Sequence, residues 1–190
     1  NKLTASFDGF LTEKVTPLET VAKDSGMPDL VEGTADFVDM LKKLRDLFAA
    51  TDKCAAPGDA DWAKVLAPIV ELSNKASKAC DNRSDFFSNR KAIAEAMQLM
   101  MLPTQKLPVP HVKNTLEAMD FHANKVLMKK DPPQTAWIKA LKQVFNDLGD
   151  WCKDEMTTGL TWKAGGTPAA EYFAANPVGS GGGGAPKGKG

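Results

Sequence analysis

Long apolar runs, a charge of one sign, cysteines and aromatics are all scarce in this chain of 190 residues. Each scarcity narrows what the chain can do. No apolar run approaches the roughly 20 residues that span a bilayer, and the longest, Met97 to Pro103, is interrupted by Gln98. No apolar signal-peptide core opens the chain. The 24 Lys and Arg cancel the 24 Asp and Glu. That balance argues against a nucleic-acid binder, which needs a basic excess to neutralise phosphates, and against a polybasic membrane anchor. The 3 cysteines, Cys54, Cys80 and Cys152, cannot all pair within one chain and show no Cys-x-x-Cys spacing, so they are expected to be reduced thiols in a cytosolic protein. Aromatic residues make up only 7%. Strand signals are missing too: there is no alternating run of β-branched residues and no Asn-Gly or Asp-Gly turn. The chain opens on Asn1 rather than Met, as expected of a piece processed or excised from a longer protein.

What remains is helical periodicity. Ile138, Leu141, Phe145, Leu148 and Cys152 recur at spacings of three and four, which puts them on one helix face. Asp131-Pro132 supplies an N-cap and a first-turn proline for that helix. Val112, Leu116, Met119, Ala123 and Val126 repeat the pattern upstream, opened by Pro110. Earlier stripes are Leu30, Phe37, Leu41, Leu44 and Phe48, then Trp62, Leu66, Ile69, Leu72 and Ala76 with Asp59 as cap. A further one, Phe86, Ile93, Met97 and Met100, is opened by Ser84 and closed by Pro103. Pro17 lies inside the first helical stretch, so Phe7 to Val15 and Leu18 to Ala22 form either two short pieces or one kinked helix. Short links between six helices predict an all-α, antiparallel up-and-down six-helix bundle over residues 1–163. Residues 164–190 are expected to be a disordered Gly-rich tail, a flexible Gly/Pro linker: 165 to 190 hold nine of the 15 glycines and three prolines. Such a composition buries too little apolar surface to offset its ordering entropy. Glu171 to Ala175 is expected to form no more than a short turn.

Catalytic patterns are missing as well. No Gly-rich phosphate loop, nucleophile elbow or His-Glu-x-x-His pair occurs. His111 and His122 lie eleven residues apart, able to share a face without sharing an ion, and bundle metal sites want Glu-x-x-His pairs on two helices. The chain is therefore expected not to be an enzyme and to need no cofactor or metal. Two segments resist a purely amphipathic account. Asn82-Arg83-Ser84-Asp85-Phe86-Phe87-Ser88-Asn89-Arg90-Lys91 is a polar junction with consecutive phenylalanines, only one of which can face the core. It is either a cap with packing residues or a partner surface. Lys153-Asp154-Glu155-Met156-Thr157-Thr158-Gly159-Leu160-Thr161-Trp162 ends a helix at Gly159. There Leu160 and Trp162 either cover the bundle end or anchor a partner.

These segments carry a family resemblance. Phe7-Asp8, Leu66-Ala67-Pro68-Ile69, Arg83-Ser84-Asp85-Phe86-Phe87 and His111-Val112 appear in order. Phe121-x-x-Asn124-Lys125-Val126-Leu127, Trp137-x-Lys139-Ala140 and Lys153 with Thr157-Thr158-Gly159-Leu160-x-Trp162 follow. Together, over about residues 7 to 163, they resemble the N-terminal helical domain of the cyclase-associated protein family. The chain departs from that family at Ser88-Asn89-Arg90, where the family has Asn-His-Leu, and at Met100-Met101-Leu102, where it has Leu-Gly-Trp. Arg90 follows Phe86 by four residues, so it must snorkel outward or the helix must rotate. A Gly-rich tail replaces the family's Pro-rich segment.

The resemblance implies a cytoplasmic module of the actin cytoskeleton. It would bind actin and work with cofilin to promote filament depolymerisation at the pointed end. It leaves adenylyl cyclase, reached through flanking segments, and a homodimer as further partners, and an adaptor bundle without effect on actin as the alternative. The expected partner-binding residues are Arg83, Ser84, Asp85, Asn89 and Lys91 at the first segment and Lys153, Thr157, Thr158, Leu160 and Trp162 at the second.

Overall fold

Residues 1–179 are described by a computed structural model. The first rod runs through α1 (Lys2–Phe10), a π turn (Leu11–Val15) and α2 (Thr16–Ser25) with helical backbone throughout. Pro17 accounts for the π turn. A proline inside a helix has no N–H to donate and its ring crowds the carbonyl four residues back. The wider turn makes room: the Thr16 N–H bonds the Leu11 carbonyl, five residues earlier. Where two short pieces or one kinked helix were expected, the structure has one helical rod with a π turn ahead of the proline.

Five more rods follow: α3 (Pro28–Ala49), α4 (Asp59–Lys78), α5 (Phe87–Ala96) running on into a 3₁₀ segment (Met97–Thr104), α6 (Pro108–Met128) and α7 (Pro132–Glu155). Pro28, Pro108 and Pro132 each sit in a first turn, where a missing N–H costs nothing. Gly26, at φ 66°, ends α2 in the left-handed conformation and leads through Met27 directly into α3, a link that returns the chain antiparallel. The result is the expected all-α bundle of six rods. The first rod closes it by packing on both α3 and α7, while α6 lies between α5 and α7. No helix among the described residues is long and apolar enough to cross a membrane.

α3 is the bundle's axis, with Leu30, Phe37, Met40, Leu41, Leu44, Leu47 and Phe48 all fully buried. Two tryptophans tie α7 across it. Trp137 Nε1 donates to Thr34 Oγ1 of α3 at 2.8 Å, and Trp151 Nε1 donates to Ser6 Oγ of α1 at 3.0 Å. Phe7 meets Trp151 at 4.9 Å and Phe48 at 5.0 Å between ring centroids, so the first, second and last rods share one aromatic cluster. Gly33 lets α5 approach α3: a Cβ there would lie 3.1 Å from Ile93 Cγ1.

The caps differ from expectation. Asp59 lies in the first turn of α4 behind Gly58, and α6 starts at Pro108 rather than Pro110. Asp131 occupies the N-cap of α7 but its side chain makes no capping bond; its carbonyl accepts the Thr135 N–H at 2.9 Å.

The larger correction concerns the tail. The linker expected from residue 164 is folded as far as residue 179. Thr167–Pro168 (β2) pairs in parallel with Cys54–Ala55 (β1), and α8 (Ala169–Ala175) packs on α4. Ala169, Phe173 and Val178 are buried. Gly166 permits the pairing, since a Cβ there would stand 2.6 Å from the Lys53 carbonyl oxygen. Average composition misled because three apolar residues on one side suffice when they dock on a surface already formed. Residues 180–190 lie outside the described residues.

Candidate functional site

The first segment is a tight turn between α4 and α5, built by short polar side chains. Asp81 Oδ1 accepts the Arg83 N–H at 3.0 Å and the Asp81 carbonyl accepts the Ser84 N–H at 2.9 Å. Ser84 Oγ accepts the Phe86 N–H at 3.0 Å and its carbonyl the Phe87 N–H at 3.2 Å. Ser84 thus shapes the turn, and the helix it was expected to open starts three residues later, at Phe87. The turn lifts Arg83 into solvent, its side chain 88% exposed and only loosely paired with Asp81 at 3.4 Å. Asp85 is exposed and Lys91 half-buried. Phe86 packs against the core and Phe87 is half-buried, as two consecutive rings must divide.

Asn89 does not belong with the exposed residues. It is 1% exposed, so it cannot touch a partner without unfolding the turn. Its oxygen faces Lys129, a residue that no sequence pattern distinguished. Lys129 Nζ donates to Asn89 Oδ1 at 2.7 Å, to Gln134 Oε1 at 2.9 Å and to the Asp85 carbonyl at 2.5 Å, and it lies 5.4 Å from the centre of the Phe86 ring. An ammonium only donates, so it fixes which way both amides point. Burial holds the Lys129 pKa below its ordinary value, with Asp85 and Asp131 opposing. One cation therefore binds the turn to α5 and to the start of α7.

Arg90 resolves the departure at Ser88-Asn89-Arg90. It does not reach freely into water. Its Nε donates to Asp29 at 3.1 Å and its Nη2 to Glu32 at 3.0 Å, with the side chain 11% exposed. Burial pushes the guanidinium pKa down, but the bonds to Glu32 and Asp29 outweigh it and leave it raised. The arginine clips α5 to the start of α3.

The second segment lies at the other end of the bundle. Lys153, Thr157 and Thr158 are exposed, and Thr157 Oγ1 donates to the Lys153 carbonyl. Gly159, at φ 97°, presses on the chain before α6: a Cβ there would lie 3.0 Å from the Gln105 carbonyl oxygen. Leu160 and Trp162 are half-buried against the core. Trp162 meets Trp62 edge-on at 6.0 Å, and the Lys163 N–H bonds the Cys54 carbonyl at 2.8 Å. Leu160 and Trp162 thus cover the bundle end. The structure does not bring the two segments together, because the 24 residues of α7 separate them, roughly 36 Å at 1.5 Å per residue.

Other reactive side chains are quiet. All three cysteines are free, and burial pushes the Cys152 thiol up to about 12. His111 Nε2 bonds the Gln98 carbonyl at 3.0 Å, whereas His122 faces Glu95 at 4.0 Å. Among the described residues no three His, Cys, Asp or Glu side chains converge to hold a metal.

Residues 7–160 match the family described as "CAP, N-terminal domain". Adenylyl cyclase-associated protein 1 of Homo sapiens is 28% identical over 188 residues, covering 95% of this chain and 39% of that protein. Cyclase-associated protein 1 of Arabidopsis thaliana is 25% identical over 177 residues, 87% of this chain and 37% of that protein. The chain thus spans well under half the length of the curated relatives it matches. The solved N-terminal domain of the adenylyl cyclase-associated protein from Dictyostelium discoideum is similar with a TM-score of 0.77 at 22% identity, covering 87% of this chain and 97% of that one. A crystal structure of the N-terminal domain of CAP, which indicates variable oligomerisation, gives a TM-score of 0.78 at 22% identity over 90% of this chain and 95% of its own. At such identities the likeness extends to the fold.

Proposed function

The chain belongs to the family of CAP N-terminal domains, and from that premise we propose that it is an actin-regulating module of the cytoplasm rather than an enzyme. In this reading it acts with cofilin to speed the loss of subunits from filament pointed ends. The observation that carries the reading is the turn at residues 81–87, which displays Arg83 and Asp85 on a backbone locked from beneath by Ser84 and Lys129. A surface held rigid before contact loses little entropy on binding. Acceleration needs differential binding: the module must favour the geometry of a departing subunit over that of a packed one, as a catalyst favours its transition state. The chain's net charge of zero is no obstacle to an acidic partner, because local patches steer association.

Single-filament microscopy tests this, following pointed-end shortening with cofilin, with and without the chain. Faster shortening supports the reading. No change at saturating concentration removes it and leaves the adaptor bundle. The double substitution Arg83→Ala, Lys91→Ala is expected to slow shortening while leaving the melting temperature nearly unchanged. An unaltered rate takes those two cations out of the interface.

A further inference from the structure

α6 keeps one face uncovered. Phe121, Lys125 and Met128 follow at spacings of four and three, which aligns them along the helix. Phe121 is 62% exposed and Met128 75%. A helix that buries Val112, Met119, Ala123 and Val126 has no folding use for a second apolar line on its outside. Lys125 Nζ stands 4.5 Å from the centre of the Phe121 ring, and His122 meets that ring edge-on at 5.1 Å.

Cations gather at the C-terminal end of this line, whereas Glu117 stands one turn before Phe121 and Glu95 faces His122 at 4.0 Å. Between Asp120 and Asp131 the chain carries Lys125, Lys129 and Lys130 and no carboxylate. Asp120 is engaged with Lys142 of α7 at 2.9 Å. The line also ends one residue before Lys129, whose ammonium bonds the Asp85 carbonyl, so it is continuous with the turn that displays Arg83.

Resting on the actin-regulating reading above, we infer that the Phe121–Met128 face of α6 docks an acidic segment of the filament-end partner. The partner's carboxylates meet Lys125, and its apolar side chains cover Phe121 and Met128. An aromatic ring and a methionine beside a cation are the side chains that dominate protein interfaces once covered, and methionine adapts to irregular surfaces. The lysines at the C-terminal end of the line favour an acidic partner there. Two apolar side chains present too little area for a bilayer, whose surface-bound helices bury a whole apolar face.

The test is co-sedimentation of the full chain with cofilin-decorated actin filaments, alongside Phe121→Ser, Met128→Ser, Lys125→Glu and Phe121→Tyr. Thermal melting of each variant should match the parent, because these side chains lie outside the core. The expected result is that Phe121→Ser weakens binding about ten-fold or more, and that Lys125→Glu weakens it and reduces its dependence on salt. Phe121→Tyr, which keeps the ring, should retain binding. If the parent sediments and Phe121→Ser and Met128→Ser sediment equally well, the docking face is refuted and the actin reading stands. A parent that does not sediment at all overturns both. Binding to phosphatidylserine vesicles, or self-association, that disappears in Phe121→Ser would assign the face to a lipid surface or a second copy and overturn the inference.

Discussion

Replacing Lys129 with methionine keeps the aliphatic stem and deletes the ammonium, so it isolates what that one charge holds. Three acceptors lose their donor: the Asp85 carbonyl, Asn89 Oδ1 and Gln134 Oε1. Water can replace the donor at Asp85, which is exposed. It cannot readily do so at Asn89, 1% exposed, or at Gln134, 8% exposed. Asn89 Nδ2 is already buried without a partner among the described residues, so the substitution orphans the whole amide. A lost charge-assisted bond in a dry site costs roughly 2 kcal/mol, and one in a partly wet site roughly 1 kcal/mol. Relief of the ammonium's own desolvation returns about 1 kcal/mol. The net is about 2 kcal/mol, or about 4–8 °C in melting temperature for a domain of this size. Circular dichroism melts at neutral pH read it directly. A cycle with Asn89→Ala should give a coupling of at least about 1 kcal/mol, while Lys130→Met, one residue on and exposed, should leave the melt unchanged. If Lys129→Met shifts the melt no more than Lys130→Met does, the cation is an ordinary solvated lysine and the account of the turn is wrong.

Gly159→Ala is expected to cost about 2 kcal/mol, since the residue sits at φ 97° and its Cβ would crowd the Gln105 oxygen; a denaturant midpoint equal to the parent's would contradict this. Phe173→Ala should release β2 and α8 locally, speeding amide exchange at Thr167 and Asn176 about a hundred-fold with little change in the bundle. Those amides bond the Lys53 and Tyr172 carbonyls, so equally fast exchange in the parent would show that the segment is not docked. Stability should fall as pH drops from 7 to 5. Burial lowers the His111 pKa from 6.5, with the Gln98 carbonyl opposing, and burial lowers that of His122 too. The unfolded chain then binds more protons in that window, so the stabilisation is complete above 6.5 and is lost as pH falls through the folded values. His111→Gln should flatten the slope, and an unchanged slope would exclude His111 as its source.

The helices were legible because their apolar spacing is regular and core burial enforces it. Leu141, Phe145, Leu148 and Cys152 are all fully buried, as their spacing requires. Where backbone bonding departs from the i to i−4 repeat, periodicity is silent, and so Pro17 marked an irregularity without revealing the π turn before it. The folded stretch at 164–179 escaped because its three buried apolar residues are diluted by glycine and alanine. Its docking surface comes from α4, far away in the chain. Arg90 and Lys129 escaped for a related reason. Each is polar in composition and gains its meaning from acceptors at residues 29, 32, 89 and 134, which no local pattern brings together. Phe121 sits inside a recognised motif, yet only its exposure separates it from Val126 in the same motif, which is fully buried.

Motif resemblance weights fold-bearing and partner-bearing residues alike, and burial separates them. At the second segment every strong feature has a folding explanation: Gly159 for the close approach to Gln105, Leu160 for the core, Trp162 for Trp62. Of the expected partner residues there, Lys153, Thr157 and Thr158 are left facing outward. At the first segment buried Asn89 and half-buried Phe86 hold up the exposed Arg83 and Asp85, and Lys129 joins the two sets. A small ligand cannot touch both ends of a rod 24 residues long. If both ends contribute to one activity, the partner must extend along the whole bundle, as a filament end does. Substitutions at the two ends would then weaken binding independently and additively. Thr157→Ala with Thr158→Ala, combined with Arg83→Ala, measures that additivity. A null effect from the threonine pair would confine the partner surface to the end that carries Arg83, Lys129 and the exposed line of α6.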